Sequence, residues 1–224
     1  MNRPRQLALA LPHTESFARE DFLPGPGNEA ALALIDRWPD WPARAAVLAG
    51  PEGAGKSHLG AIWAQAAGAR ILAARGLGEA NLPEALATGA LLLEDLAPDE
   101  RDERALFHLL NLVREHQAYL LITSRVMPVS LPVRIPDLAS RLRAVPAVAM
   151  APPDDALLRS LLVKLAADRQ LALGEDVVTF LMARIERSFA GARVAIARLD
   201  EEAMRLKRPV SRALAAELFR TPDA

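Results

Sequence analysis

Gly50-Pro51-Glu52-Gly53-Ala54-Gly55-Lys56-Ser57 matches the phosphate-loop pattern G-x-x-x-x-G-K-[ST] at every fixed position. Such a loop demands a buried strand before it and a helix after it, so it narrows the chain to an α/β fold. Both neighbours are present. Ala45-Ala-Val-Leu-Ala49 is a short apolar run of the kind that fills a parallel sheet. Ser57 to Ala67 reads as a helix with Leu59, Ile62 and Trp63 on one face and Gly68 as its stop. Glycines let backbone N–H groups turn inward towards phosphate oxygens. The helix start, from Lys56 through Ser57 and His58, adds a partial positive charge. Lys56 would set a full charge against the outer phosphates, and the Ser57 hydroxyl would ligate Mg²⁺. The chain has only three lysines beside twenty-four arginines, so a lysine in this slot is not a by-product of composition.

Bulk properties exclude several classes. With 224 residues the chain makes one large domain or two small ones. A formal charge of −1 argues against a protein whose main work is gripping nucleic acid, so little direct DNA binding is expected. No cysteine is present, which removes disulfides and thiolate metal sites. His13, His58, His108 and His116 lack the spacing of a metal site. No apolar run approaches a membrane span. Arg3 and Arg5 before Leu7-Ala-Leu-Ala-Leu11 faintly resemble a signal peptide, but the apolar part is too short and no cleavage site follows. A cytoplasmic location is the default.

Along the chain, 1–12 reads as a tail bracketed by Pro4 and Pro12. If extended, it places Leu7, Leu9 and Leu11 on one face, either to pack on its own domain or to dock on a partner as a strand-like peptide. Phe17, Phe22 and Leu23 anchor an irregular stretch that ends in Pro24-Gly-Pro-Gly27. Asn28 is placed to cap a helix running to about Trp38. After the loop unit, strands are expected at 70–74, 90–95, 119–124 and 145–150. Helices are expected at 102–116 and 137–142. Beyond Pro152-Pro153 the alternation stops, and 154–167, 175–188, 192–206 and 211–219 read as helices. Asp154 or Asp155 would cap the first of these, and Gly191 would break the chain before Arg193. An α/β unit over 13–151 is thus followed by a helical lid over 152–224.

The strand at Ala90–Asp95 ends in two acids, Glu94 and Asp95. Carboxylates at the carboxyl end of a parallel strand stand where α/β sheets bind ligands. One would serve the metal shell and the other would position or deprotonate water. Thr123 and Ser124 end the next strand with two hydroxyls. Arg141 on its own reads as an ordinary solvated arginine near a helix end.

Together these features resemble the AAA+ ATPases, and within them the family of the bacterial replication initiator DnaA. The resemblance rests on Asn28-Glu-Ala-Ala, the phosphate loop, Leu93-Glu94-Asp95-Leu96, Ile122-Thr123-Ser124 with Pro128, Leu138-Ala-Ser-Arg141-Leu142 and Gly191-Ala-Arg193. It covers roughly 13–220. Gln6-Leu7-Ala-Leu9-Ala-Leu11 is similar to a bacterial sliding-clamp-binding peptide. A clamp peptide joined to an initiator-like module is the layout of the Hda group, regulators of initiator inactivation.

The resemblance implies ADP or ATP with Mg²⁺ as ligands. It implies Gly50 to His58 as the phosphate cradle, with Asn28 beside the nucleotide. Glu94 would be the metal-side acid and Asp95 the water-side acid. Ser124, or Thr123 beside it, would be the first sensor, and Arg193 the second. Arg141 would be an arginine finger acting on the nucleotide of another protomer. The partners implied are the β sliding clamp and DnaA, with self-association left open. The activity implied is stimulation of ATP hydrolysis by DnaA, which restrains re-initiation of DNA replication. Two positions depart from the family pattern. Glu94 stands where Asp is usual, and Arg125 stands where relatives carry an acid; both point to weak intrinsic turnover rather than to lost binding. A helicase-loader-like AAA+ ATPase and an autonomous P-loop kinase are the competing readings. If the tail is a clamp peptide, Leu7→Ala with Leu9→Ala abolishes binding to immobilised clamp while the circular dichroism spectrum is unchanged. A complex that persists discards this role.

Overall fold

The computed structural model describes residues 18–98 and 102–219. The tail strip with Gln6, Leu7, Leu9 and Leu11 lies outside the described residues. Five parallel strands form one sheet in the order β2-β3-β4-β1-β5. They are β1 (Ala45–Ala49), β2 (Arg70–Ala73), β3 (Ala90–Leu96), β4 (Tyr119–Ser124) and β5 (Ala147–Ala149). Every residue of β1 is buried, as are all of β4 except Tyr119. This is why these strands read as unbroken apolar runs and not as alternating ones.

Alternation instead decides which helices each residue meets. Val47, Leu91, Leu93, Leu120 and Ile122 face α4 (Glu103–Glu115) and α5 (Pro136–Ala144), together with the short α3 (Leu82–Ala85). Ala46, Leu48, Leu92 and Leu121 face α1 (Glu29–Asp36) and α2 (Lys56–Ala67), where Trp41 stacks on Trp63 with centroids 5.4 Å apart. A separate core of leucine, valine and alanine joins α6 (Asp155–Asp168), α7 (Glu175–Met182), α8 (Phe189–Leu206) and α9 (Arg212–Leu218). The expected α/β unit followed by a helical region is what the chain forms.

Several boundaries differ from the sequence reading. Asn28 is buried beside α1, but its side chain does not cap the helix. Its Oδ1 accepts from the Gly25 N–H at 2.8 Å and its Nδ2 donates to the Leu23 carbonyl at 3.1 Å, so it ties up the turn before the helix. The expected helix over 175–188 stops at Met182. Ser188 turns out to be the cap of α8, its Oγ accepting from the Gly191 N–H at 2.8 Å. Gly191 therefore lies in the first turn of α8 and is not a break. A side chain there would come within 2.4 Å of the Glu186 carbonyl oxygen, which explains the glycine. Of the two candidate caps before α6 it is Asp154 that accepts from the Leu157 N–H, and Asp102 caps α4 by accepting from the Arg104 and Ala105 N–H groups.

The topology fixes one crevice. The chain leaving β1 crosses to β2 at one edge, whereas the chain leaving β4 passes over β1 to reach β5. Ligands of open α/β sheets bind where such connections diverge at the carboxyl ends of the strands. Packing beneath the crevice is testable. Leu109 on α4 is fully buried, and Leu109→Ala is expected to cost about 2–5 kcal/mol in urea unfolding. Val129→Ala, at a side chain 70% exposed, is expected to change stability by no more than about 0.5 kcal/mol.

Candidate functional site

Four carboxyl-terminal strand ends meet at the crevice. Register places Ala73 beside Glu94, Leu48 beside Thr123 and Ala49 beside Ser124. The phosphate loop leaves β1 and passes into α2 through two left-handed glycines, Gly53 at φ 76° and Gly55 at φ 91°. Only glycine takes this backbone without strain, and it turns successive N–H groups to one side. Lys56 opens α2 and is buried. Its Nζ donates to the carbonyls of Gly50 at 2.8 Å and Pro51 at 2.7 Å. Burial pushes its pKa down, and the nearby Asp95 carboxylate pulls it back up.

The helical lid seals one side of this loop. The Phe189 N–H, at the start of α8, donates to the Gly53 carbonyl at 3.1 Å. A β-carbon on Gly53 would sit 2.3 Å from the Ser188 β-carbon, so the two backbones touch. Phe189 stacks on Phe22 with centroids 6.1 Å apart, and Phe22 meets the His58 ring edge-on at 5.3 Å. Helices α2 and α8 thus both begin at the cleft, where their partial positive ends favour an anion.

The resulting cleft holds about 510 Å³ and is lined by Glu52, Gly53, Gly55, Lys56, Ser57 and His58 of the loop. Glu94, Asp95, Thr123 and Arg193 also stand on its wall, beside Arg75, Arg125 and Phe189. Gly50 and Pro51 contribute by holding Lys56, and Ala54 is buried behind the loop. Ser124 does not reach the cleft. Its hydroxyl donates to the Leu96 carbonyl at 2.9 Å and the residue is fully buried. Of the two hydroxyls left open in the sequence it is Thr123 that lines the cleft, because alternate residues of a strand face opposite ways. The Thr123 Oγ1 accepts from the Asp95 N–H at 2.9 Å. Asn28 likewise stands outside the lining and shapes the turn before α1.

The β3–β4 ladder slips between Leu93 and Leu96, and Asp95 adopts φ 57°. The irregularity lets adjacent residues Glu94 and Asp95 share one cleft, which a regular strand would forbid. Two further cations reach the cleft, Arg125 having been noted in the sequence only as a departure from the family pattern. Arg75 follows β2 and lines the cleft. Arg125 follows β4, with Nε 3.5 Å from Asp95 Oδ1 and Nη2 3.4 Å from Glu52 Oε2. Both sit just past strand ends, which is the signal that would have found them. Arg141 is elsewhere. Its guanidinium lies 4.9 Å over the Phe107 ring, beside a shallow groove near the amino end of β1 shared with Arg44 and Arg114.

The donor set suits a nucleoside polyphosphate. Inward N–H groups, Lys56 and Arg193 fit phosphates, and the oxygens of Ser57 and Glu94 fit a hard divalent cation. Among the described residues no group of three or more His or acidic side chains could hold a metal alone, so phosphate and water would have to supply the remaining ligands.

Comparison with known proteins bears on the fold. No family model matches the chain. Domain III of the Thermotoga maritima replication initiation protein DnaA superposes with a TM-score of 0.71 at 20% identity, covering 92% of this chain and 98% of that one. AMPPCP-bound DnaA from Aquifex aeolicus gives 0.66 at 19% identity, over 85% and 69%. The Thermotoga maritima RuvB Holliday junction branch migration motor gives 0.68 at 14% identity, over 85% and 66%. The fold is therefore the AAA+ fold that these proteins share. Among the described residues no helix is long and apolar enough to cross a membrane. Removing the ammonium tests the cleft. Lys56→Ala is expected to weaken ADP binding by at least about a hundredfold in calorimetry, as for lost charge-assisted bonds to phosphate, with the fold retained.

Proposed function

We propose that this chain is a nucleotide-binding AAA+ protein of the DnaA-related type that acts chiefly on the ATPase of another protein. In this reading ADP or ATP with Mg²⁺ binds between the phosphate loop and α8. Lys56 and Arg193 hold the outer phosphates, and Ser57 with Glu94 orients the ion. Asp95 faces the attacking water, and Thr123 fixes the Asp95 backbone. The partners proposed are the initiator DnaA and, through the tail strip, the β sliding clamp. The outcome is stimulated hydrolysis of initiator-bound ATP and restraint of re-initiation.

The observation that carries the trans-acting role is the position of Arg141. It lies apart from the cleft of its own chain, half-buried at the surface. Among the described residues it has no carboxylate partner. A guanidinium so placed is available to a second protomer's triphosphate and cannot serve its own without rearrangement. Arginines supplied in trans are worth about 10³–10⁵ in rate because they neutralise charge on the transferring phosphoryl group. The likeness to AMPPCP-bound DnaA supports nucleotide binding.

The test measures ATP hydrolysis by DnaA on clamp-loaded DNA with and without this protein. Wild type is expected to stimulate it. Arg141→Ala is expected to lose at least about a hundredfold of that stimulation while ADP and clamp binding persist. Stimulation that survives the substitution places the finger at another residue.

A further inference from the structure

The cleft carries one contact that neither phosphate binding nor action in trans requires. Arg125, the first residue past β4, spans from the phosphate loop to the end of β3. Its Nη2 is 3.4 Å from Glu52 Oε2 and its Nε is 3.5 Å from Asp95 Oδ1. Asp95 is held from a second side, its N–H donating to Thr123 Oγ1 at 2.9 Å. Alternate residues, Thr123 at the end of β4 and Arg125 past it, thus meet one acid, by its backbone and by its side chain. Thr123 fixes where Asp95 stands, and Arg125 fixes where its carboxylate points. The Arg125 side chain is 54% exposed and that of Asp95 is 60% exposed, so the pair can open and is not buried shut.

We infer that Arg125 is a positioning residue that clamps the Asp95 carboxylate away from water and so holds this chain's own ATP turnover low. The inference rests on the reading of the cleft as an ATP site. Hydrolysis there joins a water oxygen to the γ-phosphorus and breaks the bond from that phosphorus to the β,γ-bridging oxygen. ADP departs with the electron pair, and the water's proton passes through a base on its way to solvent. Asp95 is the acid with the exposure to be that base, and general bases contribute about 10²–10⁴ in rate when free to accept. A carboxylate whose oxygen faces a guanidinium has that oxygen turned from an incoming water. Each exposed pair favours the closed arrangement by roughly two- to fivefold. Arg125 is itself steadied by Glu52, so the clamp is anchored at both ends.

The experiment is single-turnover hydrolysis of Mg-ATP by the full chain, alongside calorimetric titration with ADP. Arg125→Ala is expected to raise the rate by about threefold to tenfold, the opening of one anchored exposed pair. In the Asp95→Asn background the same change is expected to have no effect, a non-additivity that a merely structural arginine would not give. Glu52→Gln, which removes one anchor and keeps the guanidinium, is expected to raise the rate less than Arg125→Ala, and it serves if that variant misfolds. A rate that falls or stays level while ADP still binds overturns the clamp and makes Arg125 a phosphate ligand or a bystander. A wild-type chain that binds no ADP overturns the cleft assignment, and the clamp with it.

Discussion

The contact between Gly53 and the start of α8 holds the candidate site together. One hydrogen bond, Phe189 N–H to the Gly53 carbonyl, links the phosphate loop to the helical lid. It satisfies one of the helix's otherwise orphaned N–H groups with one of the loop's carbonyls. The approach is close enough that any side chain at Gly53 would strike Ser188. Arg193 is on the same helix, one turn further on, so its presence in the cleft follows from this seam. A second tie crosses nearby, where Lys164 of α6 donates to Asp21 at 2.6 Å. The helical region is therefore tied both to the phosphate loop and to the segment before α1.

The charge pattern inside the cleft is mixed. Lys56, Arg75, Arg125 and Arg193 face Glu52, Glu94 and Asp95. Four cations against three acids suit a ligand that brings both polyanionic oxygens and a divalent cation, and suit neither alone.

Much of this was legible in the sequence, for identifiable reasons. The phosphate loop is a local motif whose backbone demands are met by glycines at fixed spacing, so its residues could be numbered in advance. The buried strands declared themselves as apolar runs because both sheet faces are covered. What failed depended on tertiary partners. Choosing between Thr123 and Ser124 needs the strand's facing, and that is set by the neighbour β3, whose ladder slips just there. Asn28 has the composition of a helix cap, yet Leu23 and Gly25 compete for its amide and win. Gly191 looked like punctuation, because sequence does not show that a carbonyl from Glu186 passes close by. The roles of Arg75 and Arg125 emerge only when four strand ends are brought to one edge.

The central claim is that this cleft holds a nucleotide between the loop and the lid helix. Its most direct measurement is a calorimetric titration of the wild-type chain with ADP in Mg²⁺, read beside hydrogen exchange at residues 50–57 and 188–193. The account predicts saturable binding of one ADP per chain, with exchange slowed in both segments together. Absence of binding, or protection of the loop with none at the start of α8, would contradict it.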